Sequence, residues 1–430
     1  MSPLQEPASD ARATTEAVPR MTGRQTLVLT LLLGSQFMVA VDFSILNVAL
    51  PAVGAGLGFP LGQLQWIATS FALAAAGFTL FFGRVADLFG RKRLFVGGMA
   101  VLGLSSLLGG LATTPETLIV ARVLQGLATA AVTPAGLALL TTAFREGPLR
   151  ERALGLNGAL MSAGFTAGAV LGGLLTELLS WRWAFLVNVP VAAAVVALAP
   201  SVIRDSKIVC RHRLDVPGAV TVTGGLLALV YGLTRAGAEG WADPIGVVGI
   251  GVGLALLVGF WFVEQRAAAP LVPVRIMRRR SVVWGNVAGL VAFATETSLV
   301  FLLTLYLQEV LGYSPLATGL AFGVLGLGTV LGGPLGGRVV GRYGTVRTPL
   351  VGFTATATSG LPDHEQGLAT GLATMTQQVG ITLGIPVMSA VVAARGSVLS
   401  GVTGAVVVNS GLVLAGSVLA SLLLARGRRG

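Results

Sequence analysis

Charged residues are scarce in this chain of 430 residues: Asp, Glu, Lys and Arg make up 11% of it, against roughly 25% in an average soluble domain. Hydrophobic residues make up 54%, and the mean hydropathy is +0.83. So few charges cannot cover a water-exposed surface of this size, which excludes an ordinary soluble enzyme and a disordered chain. The composition therefore predicts a polytopic membrane protein.

Cysteine and histidine are also scarce. Cys210 is the only cysteine, which excludes an intramolecular disulfide and argues against a Cys-based metal cluster. The two histidines, His212 and His364, argue against a His-rich metal centre. The sequence contains no G-x-x-x-x-G-K-[ST] motif and no Ser-His-Asp arrangement, so we expect no ATP drive, no cofactor, no metal and no enzymatic activity.

The segment 1–24 is polar and contains Pro3, Pro7 and Pro19. It lacks an apolar core that ends at a small-residue cleavage site, as a signal peptide would have. We therefore interpret residues 1–24 as a disordered cytoplasmic tail.

Long apolar segments fill most of the remaining chain. A bilayer core of about 30 Å needs about 20 apolar residues per helix, whereas a barrel strand needs an alternating segment of about ten residues. The segments here are continuous, so they predict helices, and the 60 glycines fit close packing between membrane helices. The twelve predicted spans are about 27–50, 65–82, 94–112, 117–140, 153–176, 183–203, 217–234, 244–264, 282–307, 316–337, 367–394 and 404–425.

Basic residues cluster in alternate loops between these spans. With the N-terminus inside, the cytoplasmic loops hold 25 of the 29 Lys and Arg residues, and the outer loops hold three. Cytoplasmic loops carry the excess of Lys and Arg in membrane proteins. We therefore expect a multi-pass protein of the inner (cytoplasmic) membrane with both termini cytoplasmic. The net charge of +11 is a topology signal, and no nucleic-acid partner is expected.

Two loops of the chain resemble each other. GRVADLFGRKR at 83–93 is similar to GRVVGRYGTVR at 337–347, at an offset of 254. Internal duplication is typical of transporters in which two similar halves rock about a site at the membrane midplane. The same offset aligns Asp42 with Glu296, so we expect the two carboxyl groups at matching depth in the two halves.

The repeat is incomplete in the second half. The start of the fifth span, Glu151–Leu154, is similar to Glu365–Leu368 at an offset of only 214. The second half is therefore shorter by the difference between 254 and 214, and this difference of about 40 residues corresponds to about two spans. The third and fourth spans of that half are expected to be missing. The predicted domains are the tail 1–24, an N-terminal six-helix bundle 25–204, an inserted helix pair with basic loops 205–280, a C-terminal bundle of four helices 281–425 with a gap near 348–362, and a cytoplasmic tail 426–430.

An ordered set of motifs resembles the major facilitator superfamily, and within it the fourteen-span drug:proton antiporters of bacteria. AVDFSILNVALP at 40–51 resembles the first-helix motif of that family, and residues 83–93 resemble the loop after helix two. ARVLQGLATA at 121–130 resembles the fourth-helix motif, and WRWAFLVNVP at 181–190 resembles the entry to helix six. Helices 217–264 resemble the pair that distinguishes fourteen spans from twelve, so the chain looks like a fourteen-span protein that has lost two.

A stripe of glycines in the fifth span is similar to the antiporter motif of the same family. The proline that usually follows the second glycine of that motif is Ala169 here. The spacing makes a smooth helix face, which we interpret as a close interface between the halves that blocks proton leak. The glycines are Gly164, Gly168, Gly172 and Gly173.

The resemblance implies a major facilitator fold of two pseudo-symmetric helical bundles. It also implies a monomeric antiporter that uses the proton gradient to export lipophilic or cationic drugs, including antibiotics, from the cell. Its partners would be the small-molecule substrate, protons and the lipid bilayer. Two alternatives stay open: a truncated family member that does not transport, and an uptake transporter for a polar solute.

Three ionisable residues within spans are candidates for proton coupling. An acidic or basic side chain at mid-bilayer is unfavourable by about 2.5–3.5 kcal/mol on insertion scales, and such residues usually serve function. We predict that Asp42 and Glu296 exchange protons. The resemblance implies that Arg122 takes part in coupling. The structural alternatives are a carboxyl group hydrogen-bonded within a helix interface and an arginine that clamps two helices.

The resemblance implies two further sites. The loop after helix two would latch the halves in the outward-facing state, although its basic residues alone would also fit a topology signal. A set of polar and aromatic residues would line an apolar substrate cavity, although single aromatics more often face lipid or core. The latch residues are Gly83, Arg84, Asp87, Gly90, Arg91 and Lys92, and the cavity residues are Phe37, Asn47, Gln125, Phe293 and Tyr306.

Overall fold

The structure is a computed structural model. Its described residues fold into helices, eleven of which are long and apolar enough to cross a membrane, and this confirms the predicted all-helical polytopic fold. It describes residues 21–59, 63–144, 148–204, 215–267, 270, 275, 279–324, 326, 342, 363–395 and 398–426. The helices are α1 (Gly23–Leu57), α2 (Gln65–Phe89), α3 (Arg91–Gly110), α4 (Pro115–Ala143), α5 (Pro148–Leu178), α6 (Trp183–Leu186), α7 (Asn188–Val202), α8 (Val216–Glu239), α9 (Pro244–Arg266), α10 (Arg280–Leu305), α11 (Pro315–Val324), α12 (Asp363–Ala393) and α13 (Val398–Arg426).

Several sequence predictions fall outside these ranges. They are the tail up to residue 20, the loop around Cys210, the gap near 348–362 and the last residues of the chain. The predicted span 316–337 is described only over its first part, as α11. The side chain of Asp87 also lies outside the described residues.

Capping residues set the starts of several helices. Thr22 and Gln25 form a reciprocal capping box, so α1 begins at Gly23, inside the predicted tail 1–24. Asp215 Oδ1 accepts from Gly218 N at 2.9 Å at the start of α8. Asp243 Oδ2 accepts from Gly246 N at 2.8 Å at the start of α9. Both aspartates precede a proline in the first turn, where its missing N–H is not needed.

The connection between α2 and α3 is a single residue. The prediction of a loop over 83–93 is wrong, because α2 continues to Phe89 and α3 begins at Arg91. Gly90 lies between them with φ 105° and ψ 123°. This backbone conformation is strained for a residue with a Cβ atom, so glycine is required for the abrupt change of direction.

Side-chain contacts show which helix ends lie together. Arg24 of α1 and Lys92 of α3 donate to the carbonyls of Val202 and Pro200 at the end of α7, at 2.9 and 2.6 Å. We call this the basic end of the bundle. Arg182 donates to Ala112 O at 3.1 Å where α3 has ended, which marks the opposite end.

The two halves of the molecule repeat one helix contact. In the first half (α1–α7), α5 packs on α1, and a Cβ at Gly168 would lie 2.7 Å from Val41 O. In the second half (α10–α13), α12 packs on α10, and Gly384 meets Ala294 O in the same way. Val41 and Ala294 are separated by 253 positions, one less than the 254 that separates the two similar loops. In the structure, Asp42 therefore corresponds to Thr295 and not to Glu296.

Contacts between the described residues of the two halves include two helix pairs. Thr382 Oγ1 of α12 donates to Ala72 O of α2 at 2.9 Å. At the opposite end of the bundle, Glu177 Oε2 of α5 accepts from Leu316 N of α11 at 2.9 Å. By contrast, a Cβ at Gly158, nearer the basic end of α5, would have no heavy atom within 4 Å. The described halves are therefore in contact at the opposite end, whereas Gly158 of α5 faces open space.

The inserted pair, α8 and α9, packs side by side and rests on both halves through α8. Thr223 Oγ1 donates to Gly77 O of α2 at 2.6 Å. Val222 and Leu226 belong to an apolar cluster that also includes Val379 of α12. The pair therefore bridges the two halves.

Candidate functional site: a buried Asp42–Arg122 cluster

Asp42 and Arg122 form an ion pair in the interior of the first half. The Nη1 atom of Arg122 lies 3.4 Å from Asp42 Oδ2, and the side chains of Arg122 and Asp42 are 1% and 0% exposed. Arg122 Nε donates to Ile67 O of α2 at 3.0 Å, and its guanidinium lies 4.2 Å from the centre of the Phe71 ring. The guanidinium of Arg122 therefore contacts a carboxylate, a backbone carbonyl and the face of an aromatic ring in an otherwise apolar interior.

Neutral polar groups complete the cluster. Gln125 Nε2 donates to Asp42 Oδ1 at 3.0 Å and to Ser106 Oγ at 2.8 Å, while its Oε1 accepts from Arg122 at 2.8 Å. Asn188 Nδ2 donates to the same Asp42 Oδ1 and, at 3.2 Å, to Ser106 Oγ. All of these side chains are buried. Helices α1, α3, α4 and α7 therefore converge on one carboxyl group.

The fold explains why these residues meet. Gly126 of α4 lies against Phe71 O and Ala74 of α2, so α4 approaches closely enough for Arg122 to reach Ile67 O. Arg122 and Gln125 are three residues apart on one helix face. Asn188 stands at the start of α7, next to the end of the short helix α6.

The carboxyl group of Glu296 lies in a different environment. It is exposed and lines a cavity of about 340 Å³, and it makes no hydrogen bond to another described residue. The cavity lies between α5, α10, α11 and α13 and is mostly apolar, with Phe165 and Phe322 in its wall. The expected equivalence of Asp42 and Glu296 is therefore one of depth but not of direction, because one residue further along a helix points about 100° away.

Thr295, the structural counterpart of Asp42, belongs to a small neutral cluster. Asn409 Nδ2 of α13 donates to Thr295 O at 3.1 Å, and Ser298 Oγ donates to Asn409 Oδ1 at 3.1 Å. No charged group takes part in these bonds. The second half thus holds α13 against α10 without an ion pair at this depth, within the part of the chain that the structure describes.

The predicted latch residues lie at the basic end of the bundle. Gly90 makes the turn between α2 and α3, and Lys92 Nζ reaches Pro200 O of the same half. Gly83 approaches Pro134 of α4, with a Cβ distance of 3.8 Å. These contacts stay within the first half, so the predicted link to the second half through Arg84, Asp87 and Arg91 stays a prediction.

The glycine stripe of α5 serves mainly the first half. A Cβ at Gly164 would lie 2.7 Å from Phe37 O, and Gly168 and Gly172 meet Val41 O and Ile45 O of α1 in the same way. Only Gly173, of these four, faces the second half, against Pro315 O. The interpretation of the whole stripe as an interface between halves is therefore wrong, because three of the four glycines allow α5 to pack on α1.

The five predicted cavity residues are dispersed. Gln125 belongs to the Asp42 cluster, and Asn47 is buried with its Nδ2 atom unpartnered. Tyr306 packs near Leu302 and Met388 at the start of a π-helical turn, Tyr306–Val310. Phe37 is half-buried against an apolar cluster that also includes Phe301 and Ile385 of the second half. Phe293 is half-buried in α10, and none of the five lines the cavity beside Glu296.

Two members of the Asp42 cluster, Ser106 and Asn188, were not predicted. Ser106 follows Ser105 in an otherwise apolar part of α3, and nothing in the sequence links it to Asp42. Asn188 is the single strongly polar residue in the apolar run after Trp183. That position in a predicted span was the available signal, because buried polar side chains require partners.

Comparisons with known proteins agree with this architecture. Residues 32–362 match the family model described as Major Facilitator Superfamily. The chain is 40% identical to the cephamycin export protein CmcT of Amycolatopsis lactamdurans, over 85% of each protein. It is also 40% identical to the puromycin resistance protein pur8 of Streptomyces alboniger, over 92% of this chain and 80% of the relative. The crystal structure of the peptide transporter POT in complex with sulfate shares the fold, with a TM-score of 0.66, 13% identity and 94% of each chain covered.

Proposed function

Because the chain belongs to the Major Facilitator Superfamily and is therefore a membrane transporter and not an enzyme, we propose that it is a proton-driven antiporter that exports lipophilic or cationic antibiotics. Export is supported by the relatives, which are named for cephamycin export and puromycin resistance. The proposed location is the cytoplasmic membrane, with the basic end and both termini on the cytoplasmic side.

The observation that carries the coupling proposal is the buried Asp42–Arg122 pair. A carboxylate that meets a guanidinium and two amides in a helix core has its acceptor atoms satisfied while it is ionised. Protonation would remove its charge and leave Arg122 without its anion, so the four helices that meet there would repack. Proton binding is thereby linked to a change in the first half.

The cavity beside Glu296 supports the choice of substrate. Its apolar wall and aromatic residues suit a lipophilic molecule, and a single exposed carboxylate suits one positive charge. With the basic end cytoplasmic, the contact between Glu177 and Leu316 would lie on the outer side and the open space beside Gly158 on the inner side. Such an arrangement would suit loading from the cytoplasm.

The test is antibiotic accumulation in an efflux-deficient bacterial host, together with efflux from proteoliposomes under an imposed pH gradient. Asp42→Asn is expected to insert normally but to lose efflux driven by the gradient, because an amide does not titrate. Glu116→Gln is the matched control, since Glu116 is exposed in the first turn of α4. Gradient-driven efflux by the Asp42→Asn variant would contradict the coupling proposal.

A transport-incompetent chain is the alternative that the short second half favours. It predicts that the wild-type chain inserts but moves no antibiotic in either assay. A chain with two spans, about 40 residues, restored between positions 347 and 363 would then regain efflux. Efflux by the unmodified chain would exclude this alternative.

A further inference from the structure

Asp42 is surrounded by hydrogen-bond donors. Its oxygens accept from Gln125, from Asn188 and from Arg122, the last at 3.4 Å. This arrangement satisfies an ionised carboxylate, which only accepts. A protonated carboxyl group also has an O–H to donate, and a buried donor without an acceptor is unfavourable by about 1–3 kcal/mol. A group that cycles between the two states therefore needs a neighbour that changes its role.

The Gln125 amide is not free to change. Its Oε1 accepts from Arg122 Nη1 at 2.8 Å. If the amide turned over, its NH₂ group would point at the guanidinium, which has donors only. Arg122 thus fixes Gln125 as a donor to Asp42.

The Asn188 amide has the freedom that Gln125 lacks. Its Oδ1 atom is buried and has no hydrogen-bond partner. Its Nδ2 atom contacts Asp42 and Ser106. Ser106 carries a hydroxyl group, which both donates and accepts, so rotation of the amide would reverse that contact without losing it.

We propose that the Asn188 side chain is a two-position hydrogen-bond partner of Asp42, which donates through Nδ2 to the ionised carboxylate and accepts through Oδ1 from the protonated carboxyl group. The change is a half-turn about the terminal torsion of the side chain, which is broad and roughly two-fold in asparagine. In the second position, Ser106 donates to Asn188 Oδ1 and still accepts from Gln125. The proton arrives from a hydronium ion, which leaves as water.

Asn188 is therefore a positioning residue that decides which protonation state the cluster accepts. The inference rests on the proposed role of Asp42 as the proton carrier. Among the described residues around Asp42, the charged group is Arg122 of α4. Helices α3 and α7 present the neutral Ser106 and Asn188, and α5 presents Gly168 next to Val41.

The experiment is infrared difference spectroscopy of the full chain in lipid nanodiscs during acidification. The carboxyl band that disappears in Asp42→Asn reports protonation of Asp42. Asn188→Leu removes both the donor to the carboxylate and the acceptor of the protonated form. The two losses oppose each other, so the pH at half-height of the band is expected to fall or to rise by less than about one unit. If Asn188 were only a donor to the carboxylate, its removal would raise that pH by about one unit or more, a tenfold or larger gain in proton affinity, and a rise of that size would overturn the proposal.

Two further variants complete the test. Asn286→Leu is the control, because Asn286 is a buried asparagine of α10 that bonds only to Val282 O of its own helix among the described residues, and it is expected to leave the midpoint unchanged. Ser106→Ala is the smaller change should Asn188→Leu fail to fold. It removes a contact of Asn188 from both amide positions, so the midpoint is expected to move by less than in Asn188→Leu, and a rise of about one unit or more would again overturn the proposal. Efflux that survives in Asp42→Asn would contradict the coupling role separately from the infrared result.

Discussion

The first and second halves of this transporter place a carboxyl group at similar depth and treat it in opposite ways. Asp42 is fully buried, paired with Arg122 and bonded to Gln125 and Asn188. Glu296 is exposed in a cavity. The repeated packing of α5 on α1 and of α12 on α10 shows that the helix frame is the same in both. The difference lies first in direction, because Glu296 is one residue beyond Thr295, the counterpart of Asp42, and points about 100° away. It lies also in the partners, since α3 and α4 supply Ser106, Arg122 and Gln125 to Asp42 in the first half.

Removal of Arg122 should give the largest effect. Arg122→Leu leaves the Asp42 carboxylate buried and unpaired, and breaking such a pair typically destabilises a protein by about 3–5 kcal/mol. We expect a marked loss of folded protein after extraction in mild detergent and a lower thermal midpoint by size-exclusion chromatography. The double variant Asp42→Asn, Arg122→Leu should recover part of that loss, because no charge is left buried.

The control is Arg152→Leu, since Arg152 is exposed on α5. A loss of stability as large in this control would mean that the pair is not the cause. No recovery in the double variant would show that Arg122 acts mainly through Ile67 O and Phe71.

Glycine substitutions compare the helix contact that the halves share. Gly168→Leu and Gly384→Leu both drive a side chain into a backbone carbonyl of the neighbouring helix. Overpacking of this kind is unfavourable by about 1–3 kcal/mol, and a similar drop in thermal midpoint is expected in both. Gly158→Leu on the same α5 helix should be tolerated, because the space around it is open. Tolerance of Gly384→Leu alone would show that the contact in the second half is looser.

Glu296→Gln should separate recognition from stability. The exposed carboxylate makes no described hydrogen bond, so we expect a change in stability of less than about 1 kcal/mol. Efflux of a cationic compound should fall, while efflux of a neutral antibiotic stays near the wild-type level. Equal loss of both would place Glu296 in coupling, beside Asp42, and would weaken the contrast between the halves.

Breaking the ion pair between Arg235 and Asp243 should give the smallest loss of stability. This more exposed pair serves as a reference for the buried pair of Asp42 and Arg122. Arg235 Nη2 lies 3.1 Å from Asp243 Oδ1 in the inserted pair, and this hydrogen bond lowers the pKa of Asp243. Stability from a carboxylate with a lowered pKa is present above its unfolded value of about 3.9 and is lost as the pH falls through the folded value. Asp243→Asn should therefore be slightly less stable than wild type at pH 7 and equal to it in strong acid. A gap that stays constant with pH would rule out the ion pair as its cause.

The membrane spans could be predicted from the sequence because a continuous run of about 20 apolar residues is the length that a helix needs to cross a bilayer. The depth of Asp42 and Glu296 followed from the repeat. Their directions did not, since a shift of one residue between the halves, from 254 to 253, rotates a side chain by about 100°. The one-residue turn at Gly90 was not predicted. The basic residues Arg91, Lys92 and Arg93 were assigned to a cytoplasmic loop because of their charge, whereas they form the first turn of α3. The partners Ser106 and Asn188 lie on separate helices, and sequence spacing carries no information on such contacts.

The bridge made by the inserted pair has a mechanical consequence. Helix α8 is bonded to α2 through Thr223 and Gly77 and packs on α12 through Val222 and Val379. Any rocking of one half against the other must slide α8 along at least one of these neighbours. The pair then acts as an elastic tether in parallel with the contacts between the halves, and its shear stiffness adds to the barrier between inward and outward conformations. Transport rate would accordingly respond to substitutions in a helix pair that touches neither the proton site nor the cavity.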